Sequence, residues 1–239
     1  MRGGEAQLRH GLTELALVLN EAQITHLLDY LGLIQKWTKV YNLTALRDPE
    51  EMLTHHLLDS LAVIAPLRRQ LTAARTGSFP PSPAETGQGQ ALRAALPERL
   101  IRLLDVGSGA GLPGVVIAIC CPDVSVDCVD TVAKKAAFIQ QVRATLQLPN
   151  LSSVHARVES LTEKYSVISS RAFASLSDFT GLSSAVLAEQ GVWLAMKGKF
   201  PDQDIAALPV SVSVFHVEPL AVPGLDAQRC IVWLRKSVA

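Results

Sequence analysis

Apolar residues near the start of the chain recur at helical spacing. They form a single stripe, as expected for an amphipathic helix packed on a core; its members are Ile24, Leu27, Leu28, Leu31, Ile34 and Trp37. After a polar loop over residues 38–47, Asp48 and Pro49 indicate a second helix, because aspartate is a good N-cap and proline suits the first turn. These patterns predict a helical extension over residues 1–67.

From residue 100 onward, short apolar runs alternate with amphipathic segments. The runs predict strands at 100–106, 125–130, 151–157, 165–170, 191–197, 210–218 and 229–235. Helices fit between them at about 113–121, 131–147, 176–189 and 202–208. This alternation predicts an α/β domain over residues 99–239, with a parallel sheet covered by helices. Only a loop separates the last two strands, which predicts an antiparallel hairpin at one edge.

The stretch between these two regions has a different composition. Residues 79–90 are rich in proline, glycine and small polar side chains. Such a segment has too little apolar surface to offset the entropy lost on ordering. We therefore predict a flexible insertion over residues 68–98.

Composition narrows the class of protein. The chain has 239 residues, of which 49% are hydrophobic and 18% are charged, so global disorder is excluded. No apolar run reaches the roughly 20 residues of a membrane span, and the start lacks the apolar region of a signal peptide. We expect a cytoplasmic protein without a membrane partner. Its formal net charge of zero counts mildly against a nucleic-acid partner, although local basic patches could still bind one.

The four cysteines do not indicate a metal site. They are Cys120, Cys121, Cys128 and Cys230, with no C-x-x-C pair and no histidine at ligand spacing. We interpret them as buried thiols in a reducing compartment and expect no metal.

The first predicted strand ends in a glycine-rich turn that is typical of a cofactor site. Asp105 is followed by Gly107, Gly109 and Gly111, which gives G-x-G-x-G. A dinucleotide loop reads G-x-G-x-x-G and holds a pyrophosphate, beside which a carboxylate is unfavourable. Asp105 instead suits a cationic ligand that carries an amino-acid moiety. Asp130 ends the next strand and is placed to accept hydrogen bonds from ribose hydroxyls. S-adenosylmethionine meets both requirements; an NAD-linked oxidoreductase is the alternative.

The end of the fourth strand bears on the methyl acceptor. Residues 169–173 read Ser-Ser-Arg-Ala-Phe, without the Asn/Asp-Pro-Pro-aromatic turn of enzymes that act on exocyclic amines. No cysteine lies near this strand end to form a covalent intermediate. The acceptor is therefore expected to be nucleophilic already, as guanine N7 is.

Four blocks of sequence closely resemble the bacterial methyltransferase G family, the 16S ribosomal RNA guanine-N7 methyltransferases also called glucose-inhibited division protein B. The blocks are residues 37–48, 55–60, 105–114 and 170–175, in this order along the chain. The resemblance implies a Rossmann-like, seven-stranded class I S-adenosylmethionine-dependent methyltransferase fold behind a helical extension. It also implies methylation of a guanine in the 530 loop of 16S ribosomal RNA, at position 527. Family members usually lack the long stretch at 68–98.

The resemblance also assigns cofactor contacts by matching positions. Gly107 and Leu112 lie in the glycine-rich turn, Val158 and Glu159 follow the third strand where the adenine is expected, and Arg171 follows the fourth. Arg171 is the candidate for positioning the guanine or the cofactor, while a salt bridge at a strand end is the structural alternative. Because N7 has no proton to lose, no general base is expected.

Several polar residues are candidates for contacts with RNA. They are Asn42, Arg47, His56, Lys134 and Lys197. Asn42 and Arg47 could equally form a capping network, and Lys134 could lie on a solvated helix face. The expected partner is 16S ribosomal RNA, within the 30S subunit or an assembly intermediate, and the protein is expected to be a monomer. A ribosome-assembly factor that binds the cofactor without catalysis is the non-enzymatic alternative.

Overall fold

The computed structural model describes residues 2–76, 101–171 and 173–237. Helices come first. They are α1 (Arg2–Glu14), α2 (Glu21–Tyr41), α3 (Pro49–Met52), a π-helical segment (Leu53–Leu58), α4 (Asp59–Leu61) and α5 (Ile64–Thr76). A capping box begins α2, since the Asn20 side chain accepts from the Gln23 N–H and the Gln23 side chain accepts from the Asn20 N–H. The predicted apolar stripe lies on one helix, which confirms α2. Ile24, Leu27, Leu31 and Ile34 are buried, and Leu28 and Trp37 are half-buried.

Two predictions about the following segment are corrected by the structure. The helix that begins after Asp48 is interrupted by the π-helical segment. Within this segment every side chain except that of His55 is buried. Residues 68–76 do not belong to a flexible insertion but to α5, where Leu71 is buried and the Arg68 guanidinium donates to the Cys120 carbonyl at 2.7 Å. The rest of the predicted insertion, residues 77–98, lies outside the described residues.

The predicted seven-stranded sheet is confirmed. Its strands are β1 (Ile101–Val106), β2 (Val124–Asp130), β3 (Leu151–His155), β4 (Tyr165–Ser170), β5 (Leu187–Lys197), β6 (Val212–Leu220) and β7 (Arg229–Lys236). The order across the sheet is β3-β2-β1-β4-β5-β7-β6. Strands β1 to β5 pair in parallel, and β7 runs antiparallel to both β5 and β6. The last two strands therefore form the predicted hairpin, with β6 at the edge.

Short helices connect the parallel strands. They are α6 (Gly114–Cys120), α7 (Ala133–Thr145), a 3-10 turn (Val158–Ser160), α8 (Leu176–Ser183) and α9 (Asp202–Ala206). The helix predicted to run to residue 189 ends at Ser183, because Leu187 already pairs with Tyr165 in the sheet. The third strand ends at His155 rather than at 157.

The helical extension packs on one face of the sheet and shares its core. One continuous apolar cluster joins Leu27 and Leu57 of the extension to Val116 of α6 and Phe138 of α7. A second cluster on the other face centres on Trp193 and includes residues of α8. Over the described ranges, no helix has the length and apolar character needed to cross a bilayer. The packing places α2 directly beside the segment that follows β1.

Candidate functional site

The glycine-rich turn forms a loop, residues 107–113, between the end of β1 and the start of α6. Gly107, Gly109 and Gly111 have φ angles of +66°, +59° and +87°, a region that other residues adopt only with strain. A Cβ added at Gly107 would meet no atom within 4 Å, so the space in front of this residue is open. We call residues 107–113 the glycine loop. Gly107 is exposed and Gly109 is half-buried, so these two residues offer backbone to a ligand at the carboxyl end of the sheet.

Asp105 supports the glycine loop from inside. Its carboxylate is fully buried and accepts hydrogen bonds from Ser169 Oγ at 2.8 Å and from the Gly114 N–H at 3.1 Å. Burial raises the pKa of Asp105 to about 7, against the opposing effects of these two donors and of Arg171. Direct contact with the cationic end of a ligand, which the sequence suggested, does not fit this burial. The geometry instead gives Asp105 the role of bracing the loop.

Asp130 lies at the end of β2 and borders the same loop. Its Oδ2 accepts from the Gly109 N–H at 3.0 Å and its Oδ1 from the Val132 N–H at 2.9 Å. The Lys135 ammonium lies 3.7 Å from Oδ2. A carboxylate has about four acceptor positions, so these bonds leave capacity for further donors. The predicted bonds to ribose hydroxyls stay a prediction.

The remaining predicted cofactor contacts surround this edge of the sheet. Val158 is buried and opens the 3-10 turn after β3, next to the exposed Glu159. Strand β3 pairs with β2, and His155 stands opposite Asp130, so this turn adjoins the Asp130 edge. The Leu112 side chain is buried in the core, so a ligand would meet the backbone of this residue. The structure thus brings the predicted positions to one end of neighbouring strands.

Arg171 follows β4 and lines a cavity of about 330 Å³. Its side chain is 27% exposed, and Nη1 donates to the His55 carbonyl at 3.1 Å and to Asp59 Oδ2 at 3.4 Å. Arg171 therefore bridges the sheet and the π-helical segment of the extension. Asp105 pairs with Ser169 in the sheet, so Arg171, two residues further on, lies near the end of β1, and its positive charge lowers the pKa of the buried Asp105.

Two residues that sequence reasoning missed complete this cavity. Asp59 is buried, and its Oδ1 accepts from Arg229 Nε at 2.9 Å. Arg229 is the first residue of β7, which runs antiparallel to β5. The start of β7 therefore lies beside the carboxyl end of β5, and Cys230 pairs with Lys197. The predicted hairpin could have located Arg229, because an antiparallel last strand begins at the edge of the sheet where the parallel strands end. We call the space lined by His55, Asp59, Arg171, Lys197 and Arg229 the basic cavity.

His56 is not the exposed member of the histidine pair. Its side chain is buried and Nε2 lies 3.0 Å from Thr44 Oγ1, whereas His55 is half-buried. Burial, followed by the charge of Arg171, lowers the pKa of His56 to about 4, so the ring is neutral near pH 7. His56 nevertheless lines the basic cavity together with His55. Contact of His56 with RNA stays a prediction.

The predicted lysines lie at opposite sides of this edge. Lys197 ends β5, and its Nζ donates to Asp204 Oδ2 at 2.8 Å and to the carbonyls of Phe173 and Ala174 at 3.3 Å. Lys134 starts α7 and donates to the Tyr41 carbonyl at 3.3 Å, which ties α7 to the end of α2. Both ammonium groups already bond to protein.

Asn42 and Arg47 form the capping network, one of the two alternatives that the sequence left open. Asn42 ends α2 in the left-handed conformation, and its Oδ1 accepts from Arg47 Nη2 at 2.6 Å. Arg47 Nη1 also donates to the Thr38 carbonyl at 3.1 Å. This network fixes the loop between α2 and α3. Contact of either residue with RNA stays a prediction.

Chemically, the site joins an open backbone loop to a cavity with surplus positive charge. In the basic cavity, Asp204 offsets Lys197, while the single carboxylate of Asp59 is shared by Arg171 and Arg229. One positive charge therefore remains, and an anionic or electron-rich ligand is favoured. Within the described part of the chain, no group of three or more His, Cys, Asp or Glu side chains could hold a metal ion.

Comparison with known proteins gives a consistent family. The family model described as rRNA small subunit methyltransferase G matches residues 23–78 and 91–232. A protein of Albidiferax ferrireducens named ribosomal RNA small subunit methyltransferase G is 66% identical over 237 residues, covering 99% of each chain. A protein of the same name from a Polaromonas species is 62% identical over 240 residues, covering 100% of this chain and 97% of the relative. Among solved structures, TrmN from Thermus thermophilus has a TM-score of 0.47 at 18% identity, over 58% of this chain and 44% of that one.

Proposed function

Because the chain belongs to the rRNA small subunit methyltransferase G family, we propose that it transfers a methyl group from S-adenosylmethionine to N7 of a guanine in the 530 loop of 16S ribosomal RNA. One observation carries this proposal. The open face of the glycine loop and the basic cavity lie at the same edge of the sheet, beside the ends of β1 and β4. A small cofactor and a polyanionic substrate can therefore meet there.

The residues at the glycine loop fit S-adenosylmethionine. The open space before Gly107 lets a ligand approach the backbone closely, as the family resemblance implies for this position. Asp130 has acceptor capacity for the ribose hydroxyls. The 3-10 turn at Val158 and Glu159 offers one apolar and one polar side chain where the adenine is expected. When bound, S-adenosylmethionine supplies a methyl group that its own sulfonium charge activates.

The protein then has to hold guanine N7 in line with that methyl group and to exclude water from the site. N7 carries a free lone pair, so no proton has to leave before the transfer. Asp105, whose pKa is near neutrality, does not act as a base here, because it is fully buried and both of its oxygens accept from protein donors. Arg171 positions the acceptor through guanine O6, a phosphate or the cofactor carboxylate, since N7 must stay free.

The basic cavity suits an RNA substrate. Its surplus cation favours a phosphate or the electron-rich edge of guanine, and a cavity of about 330 Å³ has room for a base turned out of its stack. The family supports a ribosomal RNA of the small subunit as the substrate. We propose 16S ribosomal RNA, presented within the 30S subunit or an assembly intermediate.

Two measurements test the proposal. Isothermal titration should show binding of S-adenosylhomocysteine and no binding of NAD. Purified 30S subunits from a strain without this modification should then accept tritiated methyl groups, at a guanine that borohydride and aniline cleave, as expected for N7 methylation. Binding of NAD in place of S-adenosylhomocysteine would contradict the assignment of S-adenosylmethionine as cofactor. Methyl incorporation at another base would contradict the assignment of guanine N7 as acceptor.

A further inference from the structure

Three side chains anchor the segment that carries the glycine loop. Asp130 accepts from the Gly109 N–H at 3.0 Å, and Asp105 accepts from the Gly114 N–H at 3.1 Å. The third anchor is Tyr30, whose hydroxyl donates to the Ala110 carbonyl at 2.5 Å. The two aspartates belong to the sheet, whereas Tyr30 belongs to α2 of the helical extension, 80 residues from Ala110 in sequence.

Tyr30 is held firmly where it makes this contact. The side chain is fully buried, and its ring stacks on Phe138 with 6.4 Å between centroids. Burial raises the pKa of the phenol well above its ordinary value, so the hydroxyl remains a donor throughout the physiological range. The loop therefore rests against a rigid donor and not against a mobile surface side chain.

The bonded carbonyl lies at the most constrained point of the glycine loop. Ala110 stands between Gly109 and Gly111, which both have positive φ angles, and the Gly111 N–H donates to the Ser108 carbonyl at 2.7 Å. A bond to the Ala110 carbonyl fixes the plane of the Ala110–Gly111 peptide. That plane determines how the loop presents its backbone at the open face.

We propose that Tyr30 is a positioning residue for the cofactor loop, so that the helical extension forms part of the cofactor site in addition to any contact with RNA. This inference rests on the proposed function, because it takes the glycine loop as the S-adenosylmethionine site. Without the hydroxyl, the Ala110 carbonyl loses its donor and the loop relaxes in the free protein. Cofactor binding must then restore the loop, which lowers affinity.

A second contact between α2 and the same segment supplies a matched control. Gln23 Nε2 donates to the Ile119 carbonyl at 2.9 Å, at the far end of α6 from the glycine loop. Gln23 also belongs to the capping box of α2, so its loss should lower thermal stability at least as much as loss of the Tyr30 hydroxyl. The two variants differ in which end of α6 they affect.

The experiment compares Tyr30→Phe with Gln23→Ala and the wild type. Titration with S-adenosylhomocysteine should show about tenfold weaker binding for Tyr30→Phe and unchanged binding for Gln23→Ala. Thermal unfolding should show both variants folded. In methyl transfer to 30S subunits, Tyr30→Phe should raise the KM for S-adenosylmethionine and leave the KM for 30S subunits unchanged.

The other outcomes for the two variants reject the proposal. Equal affinities for Tyr30→Phe and the wild type would mean that the hydroxyl does not position the loop. Equal losses in both variants, or a Tyr30→Phe protein that does not fold, would make the contact one of general stability. Failure of the wild-type protein to bind S-adenosylhomocysteine would instead reject the proposed function, so the two failures are distinguishable.

Discussion

Around the glycine loop, side chains bond to backbone groups, whereas around the basic cavity charged side chains pair with one another. Asp130 accepts from the Gly109 N–H of the loop, and Asp105 accepts from the Gly114 N–H directly after it, so these contacts fall within residues 105–130. The basic cavity instead draws its charges from the extension, from the ends of β4 and β5 and from the start of β7. Apart from Tyr30 of α2 and Ser169 of β4, the first region is therefore local in sequence, whereas the second combines four distant parts of the chain.

Because the two regions differ in the kind of contact, we expect them to control different properties, namely cofactor binding and methyl transfer. In the proposed function, the backbone geometry of the glycine loop sets cofactor affinity, and buried hydrogen bonds of this kind are insensitive to salt. The charges at the basic cavity are proposed to act on a polyanionic substrate, so their contribution should fall as ionic strength rises. Variants on the two sides should therefore separate into defects in cofactor binding and defects in methyl transfer.

The largest effect is expected at Gly111. Its φ is +87°, and an added Cβ would lie 2.4 Å from Val115 Cγ2 and 3.2 Å from Tyr30 Oη. Gly111→Ala therefore combines backbone strain with a clash inside the packed core. We expect binding of S-adenosylhomocysteine to weaken by at least about 100-fold, from several kcal/mol of combined strain, as measured by titration.

Gly32 provides the matched control for this change. It is an exposed glycine within α2, and an added Cβ would meet no atom within 4 Å. Gly32→Ala should leave cofactor binding unchanged and raise stability by about 0.5–1 kcal/mol, because alanine favours the helix. Equal affinities in the two variants would show that the Gly111 conformation is not needed for the ligand.

The next effect concerns Arg171 on the acceptor side. Lysine keeps the charge but loses the planar guanidinium, which bonds to the His55 carbonyl and Asp59 and is proposed to hold the acceptor as well. We expect Arg171→Ala to reduce methyl transfer by about 100-fold and Arg171→Lys by about tenfold, with folding retained. Tritium incorporation into 30S subunits and thermal unfolding measure the two properties. A wild-type rate in Arg171→Ala would make the residue structural and the proposed acceptor position wrong.

A smaller effect is expected at Asp130, on the cofactor side. Asparagine keeps one carbonyl oxygen for backbone donors but loses the charge that strengthens the proposed ribose bonds. We expect Asp130→Asn to weaken S-adenosylmethionine binding by about tenfold, which corresponds to about 1.4 kcal/mol. Because Asp130 also holds the Gly109 N–H, 5′-methylthioadenosine and its 2′-deoxy analogue should be titrated as well. If the variant discriminates between them as the wild type does, Asp130 acts through the loop and not through the ribose.

The cofactor side could be predicted from sequence because its parts are contiguous. A strand, an aspartate, glycines at fixed spacing and an acidic end to the next strand identify the glycine loop before any packing is known. What the sequence did not reveal is the direction of the Asp105 carboxylate. A pattern of residues gives the spacing of a side chain but not the donors that surround it, and here Ser169 arrives from β4.

The acceptor side could be predicted only in part. Arg171 and Lys197 end predicted strands, but Asp59 and Arg229 lie 170 residues apart and meet through tertiary packing. Helix α5 was also missed at 68–76, because it was joined by composition to the polar stretch after it. Its anchors are Leu71 in the core and Arg68 on the end of α6, and local sequence shows neither contact.

The smallest effect is expected from residues 79–90. The family model matches the chain on both sides of them, at 23–78 and 91–232, and their composition is poor in apolar residues. Loop length affects stability only logarithmically. Replacing 79–90 with a short Gly/Ser linker should therefore keep cofactor affinity and methyl transfer within about twofold of wild type.

A deletion extended back to residue 68 is the matched comparison, since it removes Leu71 and the Arg68 contact with α6 and should lower the melting temperature. If the shorter replacement alone abolishes transfer to 30S subunits while S-adenosylhomocysteine still binds, these residues contact the substrate.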